Sequence, residues 1–124
     1  MDQTTLVNAG RIIITELTTR KVTPRAAVWV RLGDSDTWKL WIVPPGGFTD
    51  DYRFYRMMAS IVSKRRQELG GIDAADVKLV SEDHPAIKGL RRAVKATDGG
   101  IIFMKDNVLF GFYLPEAIVL EMNF

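Results

Sequence analysis

The chain has 124 residues, 47% of them hydrophobic, which predicts one compact domain over residues 1–124 with a substantial core. It contains no cysteine, so disulfides, thiolate metal sites and a cysteine nucleophile are excluded. The net charge of +2 is too close to zero for overall charge to indicate nucleic-acid binding. Because the sequence shows neither a signal-peptide pattern nor an apolar stretch long enough to span a bilayer, we expect a soluble cytoplasmic protein.

The first predicted element is a helix over residues 3–20. Leu6, Ile13 and Leu17 fall on one face at helical spacing, which favours a helix. The β-branched run at 12–15 would also suit a strand.

A β-hairpin is predicted next, with strands at 26–32 and 37–43 joined by the polar turn 33–36. Its register pairs Trp29 with Leu40 and Arg31 with Trp38 on one face, and Val28 with Trp41 and Val30 with Lys39 on the other. Because both faces carry large apolar groups, we expect helices or another chain to cover both sides.

Residues 49–69 form the best-marked element, a long amphipathic helix. Its apolar face consists of Phe54, Met57, Met58, Ile61, Val62 and Leu69. Thr49 is predicted as the N-cap, with Asp50 and Asp51 favoured by the helix dipole. Arg65 is anomalous because it falls inside the apolar arc, so it either extends to solvent or has a carboxylate partner or anionic ligand.

The rest of the chain predicts a strand at 77–80, a helix at 84–96 with a stop at 98–100, and strands at 101–104, 108–114 and 118–122. A tight turn at 105–107 and a break at Pro115 and Glu116 are predicted to separate the last three strands. The predicted fold class is α+β, or a mixed α/β layer, in the order α-β-β-α-β-α-β-β-β. The sheet is expected to be mixed, with about five or six strands packed by helices. Residues 108–114 are almost free of polar side chains and should form a central strand or pair with a second chain.

One candidate site is centred on His84, which stands beside Asp83 at the start of a predicted helix. A neighbouring carboxylate can orient an imidazole and raise its pKa, which suits general acid/base catalysis. If the strands flanking the central helix are parallel, Asp50 and Asp51 lie at the same sheet edge and complete a crevice. The alternative is that Asp83 or His84 only caps the helix.

The second candidate site is a basic surface made of two stripes. They consist of Lys88, Arg91, Arg92 and Lys95 on the helix 84–96, and Arg53, Arg56 and Lys64 on the central helix. If the two helices lie side by side on the sheet, the stripes would merge into one phosphate-binding surface. The alternative is that both are ordinary solvated helix faces.

These patterns leave three functions open. The leading one is a small non-catalytic binding or interaction module that forms a homodimer through apolar strand faces or edges, or binds a protein partner. The second is anionic-ligand or nucleic-acid binding through the basic helix faces. The third is a small hydrolase-like enzyme that uses His84 with nearby carboxylates. No cofactor, metal or membrane association is expected.

Overall fold

The computed structural model describes residues 2–33, 35–94 and 100–124. Within these ranges, helices and strands are interleaved in an α+β arrangement, which confirms the predicted fold class. The helices are α1 (Gln3–Thr19), α2 (Asp51–Arg65) and α3 (Pro85–Ala93). The strands are β1 (Ala26–Arg31), β2 (Trp38–Val43), β3 (Val77–Leu79), β4 (Ile102–Leu109) and β5 (Phe112–Met122).

The five strands form one mixed sheet in the order β3-β2-β1-β5-β4. β1 pairs antiparallel with β2 in the predicted register, with Trp29 opposite Leu40. β2 and β3 are parallel, so the segment through α2 is a strand–helix–strand crossover within one sheet. β5 lies between β1 and β4 and is antiparallel to both.

Helices cover both faces of the sheet. α1 and α2 pack on the face that contains Trp29 and Leu40, here called the α1/α2 face. α3 packs on the opposite face, which contains Val28 and Trp41 and is called the α3 face. The two-sided apolar pattern of the hairpin is therefore explained by a helical layer on each side, as the sequence predicted.

α1 approaches the sheet closely at Gly10. A Cβ atom at this position would lie 2.3 Å from Cδ1 of Leu120 and 2.9 Å from Nε1 of Trp29. The buried Trp29 indole N–H donates to the carbonyl of Leu6 at 2.6 Å. The missing side chain at residue 10 thus allows a buried polar group to be satisfied by the helix backbone.

The predicted helix at 49–69 is present with shorter bounds. α2 ends at Arg65 and continues as the short 3₁₀ turn Arg66–Glu68. The prediction that Thr49 is the N-cap is wrong, because Oδ1 of Asp50 accepts the bond from the N–H of Arg53 at 2.9 Å.

The helix predicted at 84–96 corresponds to α3, which ends at Ala93. Asp34 of the first turn, Lys95 of the basic stripe and residues 98–99 of the stop signal lie outside the described residues.

The C-terminal part was predicted as three strands and forms two. The segment 108–114 contains the turn of a hairpin, in which Phe110 has φ 49° and Gly111 has φ 81°. Two consecutive residues with positive φ match the twist of antiparallel strands, so the chain reverses here. The predicted break at Pro115 and Glu116 is wrong, because β5 continues through both residues.

The predicted turn at 105–107 is also wrong, since β4 runs through it. Asp106 has φ 54°, and the pairs on its two sides, Lys105 with Glu116 and Asn107 with Leu114, keep one register. A left-handed residue inside a strand changes the direction of the side chains that follow it. Met104 and Leu109, an odd number of positions apart, accordingly both pack on the α3 face.

Among the described residues, none of the helices combines the length and apolar character that a membrane crossing requires.

Candidate functional site

The structure places His84 at the start of α3 as its N-cap. Its Nδ1 accepts a hydrogen bond from the N–H of Ala86 at 3.1 Å. The imidazole packs against Trp41 and Phe112, with both ring centroids 4.8 Å away. One ring nitrogen is therefore committed to the helix backbone, and the ring is held by aromatic neighbours on the α3 face.

The electrostatics of His84 differ from the prediction as well. Burial, together with repulsion from Lys78, lowers the pKa of His84 below its ordinary value. The sequence predicted a raised pKa through a neighbouring carboxylate, and that prediction is wrong. Asp83 is exposed, and its backbone N–H donates to Oγ of Ser81.

A crevice does lie at the carboxyl edge of β2 and β3, where the sequence predicted one. It has a volume of about 410 Å³ and is lined by Arg25, residues 43–48, Asp51 and residues 79–82. His84 does not line it, and Asp50 is occupied in capping α2. Two of its three charged lining residues, Arg25 and Glu82, form an ion pair with each other. The four acid/base candidates are therefore not brought together in this crevice.

The α2 stripe is paired with an acid at only one of its residues, because Arg53 and Arg56 are exposed and form no salt bridge within the described ranges. Lys64 pairs with Oε1 of Glu16 at 3.2 Å. The guanidinium groups of Arg53 and Arg56 lie 5.6 and 5.5 Å from the ring centroids of Phe48 and Tyr52. α2 and α3 pack on opposite faces of the sheet, so the two basic stripes do not merge as the sequence analysis supposed.

Arg65 has carboxylate partners, which resolves its anomalous position. It contacts Oε1 of Glu16 at 3.1 Å and Oε2 of Glu68 at 2.6 Å. Glu16 is only 4% exposed and is also held by Arg20 and Lys64. Hydrogen bonds from these cations, with Arg20 contributing most, lower the pKa of Glu16 to about 2. The sequence analysis missed Glu16, although a glutamate on the apolar arc of α1 is a signal that could have been found.

The remaining stripe, on α3, borders an open cleft of about 580 Å³. The described residues that line it are Lys88, Arg91, Arg92, Phe110 and Phe124, here called the α3 cleft. α3 orients the three cations because its apolar residues Ile87 and Leu90 are buried against the sheet. Lys95, the fourth predicted member, lies outside the described residues.

Two aromatic rings complete the α3 cleft. Phe110 comes from the β4–β5 turn and is 58% exposed, and Phe124 follows β5 and is 41% exposed. The guanidinium of Arg91 lies 3.9 Å from the Phe124 ring centroid, and that of Arg92 lies 5.5 Å from the Phe110 centroid. Sequence reasoning did not place either ring in the site, because Phe110 was assigned to a strand and favoured as a core residue, and Phe124 lies beyond the last predicted strand.

The α3 cleft offers cationic and aromatic groups but no acid among its described lining residues. Likewise, no group of three or more His, Asp or Glu side chains in the described part of the chain is arranged to hold a metal ion. Such a cleft can attract an anion and stack a planar group, whereas it supplies no general base. Comparisons with protein-family models, with curated proteins and with solved structures find no match to this chain.

Proposed function

We propose that this chain is a non-catalytic binding module whose α3 cleft takes single-stranded nucleic acid. The observation that carries the proposal is the combination of three helix cations with two exposed phenyl rings around one open cleft. Proteins that bind single strands combine a positively charged groove with aromatic side chains on which bases stack.

The charge of the α3 cleft is available to a ligand. Lys88, Arg91 and Arg92 are exposed, and none of them forms a salt bridge with another residue in the described ranges. Lys64, in contrast, is paired with Glu16. Phosphate groups would release counterions at the α3 cleft without displacing an internal carboxylate.

The rings favour a ligand that carries planar groups over a simple anion. An exposed phenylalanine beside an arginine offers a hydrophobic face for a base while the guanidinium contacts the neighbouring phosphate. Phe110 has this arrangement with Arg92. The Phe124 ring is contacted by the guanidinium groups of both Arg91 and Arg25, at 3.9 and 4.4 Å from its centroid, so it contributes by holding Arg91 at the cleft. An acidic protein segment would use the charges but leave the rings without a matching partner.

The test is fluorescence anisotropy with a labelled oligothymidine, titrated at several salt concentrations. With about three phosphate contacts, the wild-type slope of log K against log salt should be about −2. Charge reversal by Arg91→Glu with Arg92→Glu should weaken binding at least roughly ten-fold and flatten this slope, because two contacts are lost.

A matched control changes the same number of charges elsewhere. Arg53→Glu with Arg56→Glu alters α2, on the opposite face, and should leave most of the affinity intact. Phe110→Ala should weaken oligothymidine binding but not binding of inorganic polyphosphate, which has no bases to stack. Equal loss in the α2 and α3 double variants, or no salt dependence, would contradict the proposal.

Two further parts of the proposal concern context. We propose a cytoplasmic location, with which the absence of cysteine is compatible. We also retain the homodimer as a proposal, supported by the exposed apolar side chains of the β4–β5 hairpin, which include Phe103, Val108 and Tyr113. Catalysis through His84 finds no support in the geometry, because its Nδ1 is committed to the N-terminus of α3.

A further inference from the structure

β4 forms one edge of the sheet and is eight residues long, whereas β3 at the other edge has three residues. Long edge strands present a row of backbone groups to which another strand can pair. β4 also carries two exposed apolar side chains, Phe103 at 53% and Val108 at 68% exposure. This edge therefore has both the length and the apolar surface that strand addition requires.

The left-handed residue Asp106 sets which side chains share a face of β4. Phe103 lies beside the start of α1, where it lines a groove with Gln3 and Val7, so it is on the α1/α2 face. Leu109 packs on the α3 face, so the preceding residue Val108 points to the α1/α2 face. Without the change of direction at Asp106, Phe103 and Val108 would lie on opposite faces.

We propose that a second copy of this chain pairs with β4, antiparallel, about a two-fold axis that passes between Lys105 and Asp106. This register places Lys105 opposite Asp106 of the second copy, and the symmetry repeats the pair. It also places Phe103 opposite Val108 of the second copy on the same face. Each of these apolar side chains then faces an apolar side chain of the second copy, and each charged side chain faces one of opposite charge.

The charge pattern selects a second copy over an unrelated strand. A lysine in the middle of an edge strand disfavours pairing with any strand that lacks an acid opposite it. β4 supplies that acid itself, in the position that the two-fold axis brings to Lys105. Asp106 is in addition fixed by a hydrogen bond from the Tyr113 hydroxyl at 2.6 Å, which keeps its carboxylate on the hairpin surface.

The test is analytical ultracentrifugation of charge-swapped variants. Wild type should sediment as a dimer, twice the 14.0 kDa of one chain, at high concentration. Lys105→Glu places two acids opposite each other and Asp106→Lys places two lysines opposite each other, so each variant alone should dimerise at least about ten-fold more weakly. An equal mixture of the two variants restores both opposite-charge pairs and should recover the heterodimer.

Lys78→Glu is the matched control, because Lys78 is an exposed lysine on β3 at the other edge. It should leave dimerisation unchanged. A wild type that stays monomeric at about 0.5 mM overturns the proposal. So does a mixture that associates no better than its components, or a Lys78→Glu variant that loses the dimer equally.

Disulfide trapping tests the register without altering Asp106. The chain has no cysteine, so Phe103→Cys and Val108→Cys introduce the only thiols. Mixed under mild oxidation, the two variants should cross-link, because directly opposite Cβ atoms lie about 4.5–5.5 Å apart. Phe103→Cys alone should not, because the register separates the two copies of residue 103 by about 17 Å. Cross-linking of Phe103→Cys alone, or none in the mixture, overturns the register.

Discussion

Glu16 is the one charged side chain that is buried among the described residues. It accepts contacts from Arg20, Lys64 and Arg65, which extend from two helices. This network explains why the charged residue Arg65 is tolerated on the inner side of α2. The sequence could identify Arg65 as anomalous but not its buried partner, because Glu16 is 49 positions away in the chain.

Substitution of Glu16 should make the free energy of unfolding depend less on pH in the acid range. The folded-state pKa is lowered from 4.5 to about 2, so the carboxylate stabilises the fold above pH 4.5 and loses this contribution as the pH falls towards 2. We expect Glu16→Gln to lower the free energy of unfolding by about 1–3 kcal/mol at pH 7. The difference from wild type should shrink steadily between pH 4.5 and 2 in urea titrations.

Glu68→Gln provides the control for this experiment. Glu68 also pairs with Arg65 but is exposed, so its removal should cost no more than about 1 kcal/mol. A Glu16→Gln effect that is the same at pH 7 and pH 3 would contradict the assigned role of the carboxylate.

At the scale of elements, glycines mark where helices touch the sheet. Gly89 weakens α3 as an isolated helix by about 1 kcal/mol relative to alanine. In the fold, however, an added Cβ would lie 2.6 Å from Cβ of Leu109 and 3.2 Å from its Cα. Helix propensity and tertiary packing therefore make opposite demands at this position, and packing determines the residue.

We accordingly expect Gly89→Ala to destabilise the protein by about 1–3 kcal/mol, despite its gain in helix propensity. Thermal and urea unfolding measure this. Leu109→Gly in the same chain removes the Cβ that an alanine at residue 89 would meet, so the double variant should lose less than the sum of the two single variants. Ser63→Ala, at an exposed position of α2, is the control and should change stability by no more than a few tenths of a kcal/mol. A stabilised Gly89→Ala variant would show that α3 does not approach β4 this closely.

Element prediction succeeded where local signals were strong and failed where they conflicted. The spacing of Leu6, Ile13 and Leu17 predicted α1 within one residue of its bounds at each end. In the C-terminal region Pro115 suggested a break, yet β5 accommodates it, and the chain reverses at Phe110, a residue that rarely adopts positive φ. Tertiary pairing, which a local pattern does not contain, decided both positions.

At the scale of the molecule, the sequence predicted that helices or another chain cover both sides of the hairpin, but not which helix lies on which side. The parallel pairing of β2 and β3 was one arrangement that the sequence allowed, whereas the placement of α3 opposite α2 depends on the path from β3 to the distant edge strand. Three of the five described residues that line the α3 cleft were predictable from the sequence. Helical spacing grouped Lys88, Arg91 and Arg92, but only the folded chain brings Phe110 and Phe124 to them.

The proposed dimer has a consequence for the proposed ligand. A two-fold axis normal to the sheet keeps both copies of α3 on one face, so the two α3 clefts open on the same side. An oligonucleotide long enough to reach both should bind wild type about 10²-fold or more tightly than Lys105→Glu. A short oligonucleotide should bind both proteins equally. Anisotropy titrations with the two lengths make the comparison, and a length-independent difference would contradict bivalent binding.

The position of β5 between β1 and β4 also has a consequence for how the fold forms. β1 can pair with β2 through a local turn, but its other edge is completed by residues far along the chain, as in the pair of Arg31 with Glu116, 85 positions apart. Closing so long a loop is slow compared with local pairing. Until β5 arrives, α1 has only part of its supporting sheet, and β1 is itself an open edge. Neither core layer can therefore be complete before the C-terminal hairpin has formed and paired with β1.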